Sequence, residues 1–492
     1  MDRPNVVWIT LESTRMDHTS LDGYSRDTTP NLARIAGMGG GRAFADCHTH
    51  GVWTLASSAS ILTGTVPTHH GAGMENDAIP EDLDTIPERL SEQGYRTACL
   101  SPNSHLSSAT GLDRGFDEFT WLSADTLWEA AGPRILAKYA RNCRRHGPGF
   151  TTDTRKHGTS YLMNEIAKRQ LGSYADDEEP FFLYAHYGDP HHPYHPPQRF
   201  LDRYADDFAM DTDRAQRLGF YHHDNFHQLI ADGCPFAADE WDALQALYDG
   251  EIAHTDELVG DLFDHANRLG LDDTVFVITA DHGELFGEQG MLAHLVVADD
   301  AVTHVPLVVH GANAITDHDG ETVQHADVMR TLLDAAGART DGLHGIDLRE
   351  ETREHSLTQR GAKRACKNLD RFGELNPAFD PSPYHTATLS ALRTHEFKYQ
   401  RSDDRAELLR LPDEDRDVSE EHPEVKERLD EALDMVLEAD GQPAANERSL
   451  PVDGNTASPF GDRSEPVTLV ARTCVVPCMR RRIRWRICSG QR

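Results

Sequence analysis

Residues 275–290 read VFVITADHGELFGEQG, and this stretch restricts the possible folds most. Val275 to Thr279 is a short apolar run, rich in β-branched residues and without polar alternation. That pattern predicts a strand buried on both faces of a parallel sheet. Ala280, Asp281, His282, Gly283 and Glu284 then fall at the carboxyl end of the strand, where open α/β sheets place their ligands. An Asp beside a His, followed by a Gly that frees the backbone to turn, offers a carboxylate oxygen and an imidazole nitrogen to one divalent cation. In a chain with 28 histidines the same triplet is equally an ordinary loop, so its meaning depends on the motifs around it.

Other segments read as parts of the same architecture. NVVWITLES (5–13) is a buried strand ending in Glu12 and Ser13. A carboxylate at that tip is a metal ligand or a solvated acid. Thr29 is placed to cap a helix that starts with Pro30 at its first position. WTLASSASILTG (53–64) reads as a tightly packed helix stopped by Gly64, with Thr54 at its amino end. A hydroxyl there serves as a helix cap or as a nucleophile, and the positive end of the helix favours an anion beside it. Residues 86–94 form an amphipathic helix, and 95–100 the strand after it. Residues 101–177 are helical in pieces and are expected to build the substrate-facing walls. PFFLYAHY (180–187) is a second buried strand, running into a proline-punctuated loop that holds His191, His192 and His195; the prolines restrict that loop and preorganise whatever its imidazoles touch. Residues 239–269 read as one long helix delivering the chain to the 275–280 strand. A strand at 305–309 and a helix at 325–337 follow.

The net charge is −34, and only seven of the 48 basic residues are lysine. An acidic, lysine-poor surface stays hydrated and self-repelling in concentrated salt, which predicts a halophile's cytoplasmic enzyme; a merely acidic mesophilic protein is the alternative. Recognition of nucleic-acid backbone by the main body is excluded, because that needs a basic face. No apolar run reaches the roughly 18 residues that span a bilayer, and no signal peptide precedes the first strand. The eight cysteines show no disulfide framework, as fits a reducing compartment. Nothing in the sequence speaks to oligomeric state.

From about residue 340 the pattern changes to short β-prone segments (386–393, 397–400) and a charged helix (423–437), which predicts a small antiparallel sheet with a helix. The expected division is 1–338 for a catalytic domain, 339–440 for a C-terminal α+β subdomain, and 441–492 for a polar linker and basic tail without fixed structure. Arg480, Arg481, Arg482, Arg484 and Arg486 alternate with apolar residues, so this tail could meet anionic lipid or nucleic acid. Cys474, Cys478 and Cys488 lack an evident fourth ligand for a metal knuckle. The tail reads as accessory, with no catalytic role.

NVVWITLES, TPNLARIA, WTLASSASILTG with VPTHHG, HYGDPHHPYHPP, TADHGELFGEQG, THVPLVVHG and THEFKYQ occur in an order that resembles the sulfatase branch of the alkaline phosphatase superfamily over residues 4–440. The resemblance implies an α/β fold: a large, mostly parallel central sheet flanked by helices, with a smaller C-terminal α+β subdomain. It implies that Asp281 and His282 are metal ligands and that Glu12 stands where the family has a metal-binding Asp. Thr54 falls on the nucleophile position, His191 on a histidine contacting the ester's anionic oxygens, and His294 on the group at the leaving oxygen. Asn76, with His70 just before it, matches a substrate-binding position. Thr54 replaces the cysteine that the family oxidises to formylglycine, and Ser58 the arginine that supports it, so no formylglycine is expected. A Glu, Thr, Asp and His set around one divalent ion (calcium, manganese or zinc) is similar instead to threonine-dependent phospho-group transferases. A formylglycine hydrate expels sulfate by breaking its own hemiacetal; a threonine ester must be cleared by a second attack at sulfur or phosphorus. The expected activity is metal-dependent hydrolysis of a sulfate or phosphate ester, mono- or diester, on a small molecule or glycan. The alternatives are transfer of a phospho-group to a glycan or lipid, and an inactive homologue that binds anionic glycans.

Overall fold

The computed structural model describes residues 3–439 apart from 150, 152, 206–209 and 313–320. The linker and the basic, cysteine-containing tail therefore lie outside the described residues.

A seven-stranded sheet forms the centre. Its order across the sheet is Gly41–Phe44, Leu307–His310, Thr274–Thr279, Asn5–Leu11, Phe181–Tyr187, Arg96–Ser101 and Glu118–Trp121. Six strands run in one direction, while Leu307–His310 runs antiparallel to both of its neighbours. The central strands are buried along their length, as runs such as VVWITL and VFVIT require when helices cover both faces. One face is covered by the helices Leu127–Asn142, Ser160–Tyr174 and Ala238–Arg268. The other is covered by Thr54–Thr63, Ile86–Glu92 and His325–Ala335. The expected substrate-facing role of 101–177 is thereby corrected. Leu162, Met163, Ile166 and Leu171 are apolar on the sheet-facing side, so the helix they lie on is committed to the core, and among the described residues of the segment the turn around Asn103 and His105 approaches the site.

Register places the site. Thr10 pairs with Thr279 on one side and with His186 on the other, so the three strands end level. Glu12, His186 and Asp281 consequently emerge at one edge of the sheet.

The long helix Ala238–Arg268 carries acids that organise its surroundings. Asp256 accepts from the backbone N–H of Asn31 (3.0 Å) and of Leu32 (2.9 Å), capping the helix Pro30–Ala36 from outside. Thr29 sits at the predicted cap position, but its side chain makes no capping bond and instead accepts from Ser20 N–H.

The C-terminal region forms a four-stranded antiparallel sheet, Ser356–Arg360, Leu389–Arg393, Phe397–Arg401 and Ala406–Arg410, with the helix Pro423–Ala439. It is locked to the main body by buried charge. Lys398 meets Asp300 at 2.6 Å and Glu414 at 2.7 Å, while Arg393 bridges Asp46 (2.8 Å) and Asp300 (2.9 Å). Among the described residues, no helix is long and apolar enough to cross a membrane.

Candidate active site

Thr54 opens the helix Thr54–Thr63 as its first residue, after the cap residue Trp53. Its hydroxyl does not cap the helix. It lies 3.3 Å from Glu12 Oε1, to which it donates, and 3.2 Å from His282 Nε2. Of the two roles that the sequence leaves open, the geometry removes the cap and directs the hydroxyl into the site. The helix is anchored underneath by Ser57, whose hydroxyl donates to the backbone carbonyl of Asp281.

The Asp281 loop is shaped by contacts with neighbouring backbone. Asp281 Oδ1 accepts from its neighbour His282 N–H (3.0 Å) and from Ser13 N–H (3.2 Å). Gly283 serves close approach and not an unusual turn: a Cβ there would come within 2.0 Å of the Ala301 carbonyl oxygen, and Gly283 N–H donates to Val302 O at 2.8 Å. Ser13 holds a left-handed backbone (φ 61°), with its carbonyl accepting from Tyr248 OH at 2.5 Å. Ala293 and Val296, which flank His294, are also left-handed (φ 61° and 63°). Strained non-glycine positions persist where surrounding structure over-determines them, and here they border the candidate chemistry.

Asp281 Oδ2 and His186 Nε2 are buried with no hydrogen-bond partner and stand 3.9 Å apart. Glu12 Oε2 is 3.5 Å from the same His186 nitrogen, and His282 Nε2 is 3.5 Å from Asp281 Oδ2. Glu12, His186 and Asp281 each offer a ligand atom within 4.8 Å of the others. Orphaned, buried acceptors facing one another fit a divalent cation, because removing them from water without a partner is costly. Burial alone would raise the Glu12 carboxyl, but His191, His186 and His282 overcome it and hold it at about 2. His186 is pushed up from the ordinary imidazole value: burial opposes this, and Glu12 and Asp281 prevail.

The imidazoles of the proline loop are buried, not solvent-facing. His191 and His192 stack with centroids 4.3 Å apart; His191 lies 5.2 Å and His282 4.3 Å from the His294 ring. Burial first, then His282 and His191, depress His294 well below the usual range, while burial lowers His191 despite Glu12. Burial thus works against the charged form of both rings, and His191 Nδ1 is taken up by the His192 carbonyl at 2.7 Å, leaving Nε2 as its remaining ring nitrogen. His195 belongs to a different region, its backbone N–H donating to Glu251 at 2.8 Å.

The structure thus gathers Glu12, Thr54, Asp281, His282, His191 and His294. His70 and Asn76 are engaged in other contacts. His70 is fully buried: Nε2 meets Ser60 Oγ at 3.0 Å and Nδ1 accepts from Ala72 N–H at 3.1 Å, so both ring nitrogens brace the turn after the Thr54 helix. Asn76 is exposed on that turn, its amide beside Gly71.

Two residues, His186 and Asn103, escape sequence reasoning, while Glu284, which the sequence places at the strand end, has no role assigned there. His186 lies inside a strand and reads as core, although its pairing with Thr10 brings it to the sheet edge. Asn103 follows a strand without a motif; its Nδ2 donates to Glu12 Oε1 at 2.7 Å. Glu284 is fully buried with Oε1 3.5 Å from His294 Nδ1, and burial, reinforced by Glu12, raises its carboxyl well above the ordinary range.

A parallel sheet with carboxylates, imidazoles and one hydroxyl converging at its strand ends defines an alkaline phosphatase-like enzyme architecture. The family model for sulfatases matches residues 4–338, and the chain belongs to that family of ester hydrolases. It is similar to an arylsulfatase of Clostridium perfringens, with 24% identity over 73% of this chain and 80% of the relative. A multifunctional alkaline phosphatase superfamily protein, PehA, of Trinickia caryophylli is 29% identical over 69% of this chain and 75% of its own. In fold, the crystal structure of a phosphonate monoester hydrolase of Agrobacterium radiobacter matches with a TM-score of 0.68 at 19% identity, covering 89% of this chain and 96% of that one.

Proposed function

We propose that the chain hydrolyses a sulfate or phosphate ester, mono- or diester, through a covalent ester on Thr54. The observation that carries this reading is the position of the Thr54 hydroxyl, at a helix N-terminus yet turned onto Glu12 Oε1 and His282 Nε2. A hydroxyl released from capping and held against a carboxylate and an imidazole has the surroundings of a nucleophile.

Glu12, Asp281, His282 and His186 would hold one divalent ion, with Thr54 beside it. When bound, the ion lowers the pKa of the hydroxyl and neutralises charge on the tetrahedral centre. The chain's own residues supply the rest. Thr54 Oγ1 forms a bond to phosphorus or sulfur as the bond to the leaving oxygen breaks, and the hydroxyl's proton ends on the departing alcohol. His191, its Nδ1 bound to the His192 carbonyl, stands beside the non-bridging oxygens and donates from Nε2 once the bound anion has drawn a second proton onto the ring, and His294 lies at the leaving oxygen. Water then attacks the same centre, the bond to Thr54 Oγ1 breaks, and the hydroxyl is restored with release of the acid. Mixed carboxylate and imidazole ligands suit manganese or zinc, while calcium prefers oxygen alone.

The cleaved ester is sought with aryl sulfates, phosphate monoesters, phosphodiesters and phosphonates, each with calcium, manganese or zinc at high salt. High salt matches the expected halophilic, cytoplasmic setting, which rests on the acidic, lysine-poor composition. Turnover that depends on one of these ions and is lost in Thr54→Ala supports the reading. Turnover that survives Thr54→Ala overturns it.

A further inference from the structure

The corner between the strand Ser356–Arg360 and the helix Ala362–Leu375 is pressed against the Thr54 region. Gln359 N–H donates to His50 O at 2.8 Å, and Thr358 Oγ1 donates to Thr49 O at 2.5 Å. Gly361 touches the turn after the Thr54 helix so closely that a Cβ would meet Met74 Cα and O at 2.6 Å. The next turn of chain lays Arg364 on the ring of Trp53, 4.1 Å from its centroid. Trp53 is itself fixed: its indole N–H donates to Gly73 O at 3.2 Å, and His105 meets it edge-on at 5.2 Å. A guanidinium stacked on a fixed ring is preorganised and keeps its fork of donors available.

Among the described residues, Arg364 has no anion of its own. Its Nε is buried without a hydrogen-bond partner, and among the described residues no carboxylate forms an ion pair with it. That is an unusual economy in a chain with 82 acidic residues against 48 basic ones. The side chain is part-exposed with its Nε buried, so an anion can reach it, and an unpaired, partly desolvated charge is a cost that is retained where a ligand completes the pair. Burial lowers the guanidinium to about 10, and its charge helps to depress both His105 and His294, so its field reaches the site.

We propose that Arg364 is a specificity-determining residue that receives a second anionic group of the substrate, a carboxylate, sulfate or phosphate carried on the leaving group. Trp53, on which it stacks, immediately precedes Thr54, which sets the guanidinium beside the site. The inference rests on the reading of Thr54 as nucleophile. It adds that the preferred ester is polyanionic.

The test compares two aryl esters with the same scaffold, one neutral elsewhere and one bearing a carboxylate, against wild-type protein, Arg364→Gln and Arg364→Lys. Arg364→Gln raises KM for the carboxylated ester about tenfold, the loss of one charge-assisted fork, and leaves the neutral ester within about twofold; Arg364→Lys recovers part of the loss. Equal losses on both esters, or none on either, overturn the proposal. Calorimetric titration of metal-loaded protein with 4-sulfobenzoate and with benzenesulfonate separates this from a failure of the Thr54 reading. If the wild type turns over neither ester, Arg364→Gln still weakens 4-sulfobenzoate about tenfold and benzenesulfonate not at all. Identical binding of 4-sulfobenzoate by both proteins removes the role from Arg364.

Discussion

Thr54 Oγ1 and Glu12 Oε1 stand 3.3 Å apart across 42 residues of chain. No local structure brings them together. Glu12 is delivered by the end of the strand Asn5–Leu11, and Thr54 by the start of a helix whose Ser57 is tied to the Asp281 carbonyl. The pair therefore reports that strand register and helix docking agree.

Replacement of Thr54 by Ala is expected to lower turnover more than about a hundredfold, typical of a lost nucleophile, while circular dichroism and melting temperature stay close to the parent. Thr54→Ser keeps a hydroxyl at the same place and retains most of the rate. Similar rates for Thr54→Ala and the parent would show that another group attacks.

Asn103 donates to the Glu12 oxygen that Thr54 also meets, so it orients that carboxylate. Asn103→Ala is expected to weaken divalent-ion affinity by about 10- to 100-fold, the usual effect of removing an outer partner of a ligand. Calorimetric metal titration measures it; unchanged affinity means that Glu12 needs no such support.

Burial, aided by His69, holds His70 at about 3, so its ring is neutral in the fold and protonated in the unfolded chain below about pH 6.5. The unfolded state then binds the extra proton, and the contribution is present above pH 6.5 and lost as pH falls toward 3. The slope from this one group is at most about 1.4 kcal/mol per pH unit. Denaturant midpoints of His70→Gln are expected to fall less steeply with acid than those of the parent. Parallel pH profiles would place the acid sensitivity elsewhere.

Arg360 donates to four carbonyls, Val296 (2.8 Å), His385 (2.8 Å), Ala387 (2.9 Å) and its neighbour Gly361 (3.4 Å), joining the C-terminal sheet to the segment after His294. Arg360→Ala leaves these acceptors unpaired in a buried place, an expected loss of about 3 kcal/mol or more. Calorimetric unfolding checks it, and a change below about 1 kcal/mol would mean that water replaces the guanidinium.

The strands and long helices were legible because their signals are local. VVWITL and VFVIT can be satisfied only by burial on both faces, and the chain from 239 to 269 keeps one apolar stripe. Asp281 and His282 were legible because they sit directly after such a strand. His186 and Asn103 were not, since their roles arise from register and from a turn's position, neither of which leaves a pattern in neighbouring residues. His70 misled for the converse reason: a histidine beside a motif has the same sequence signature whether it faces the ligand or braces the turn. Gly283 reads in sequence as a residue that frees the backbone to turn, whereas the close Ala301 carbonyl supplies its physical reason.

The most direct measurement is mass spectrometry of peptides from metal-loaded protein quenched in acid during turnover. The account predicts that the peptide containing Thr54 gains the mass of one phosphoryl or sulfuryl group, that fragmentation places it on Thr54, and that Thr54→Ala abolishes it. The same group found on a different side chain, with Thr54 unmodified, would contradict the account.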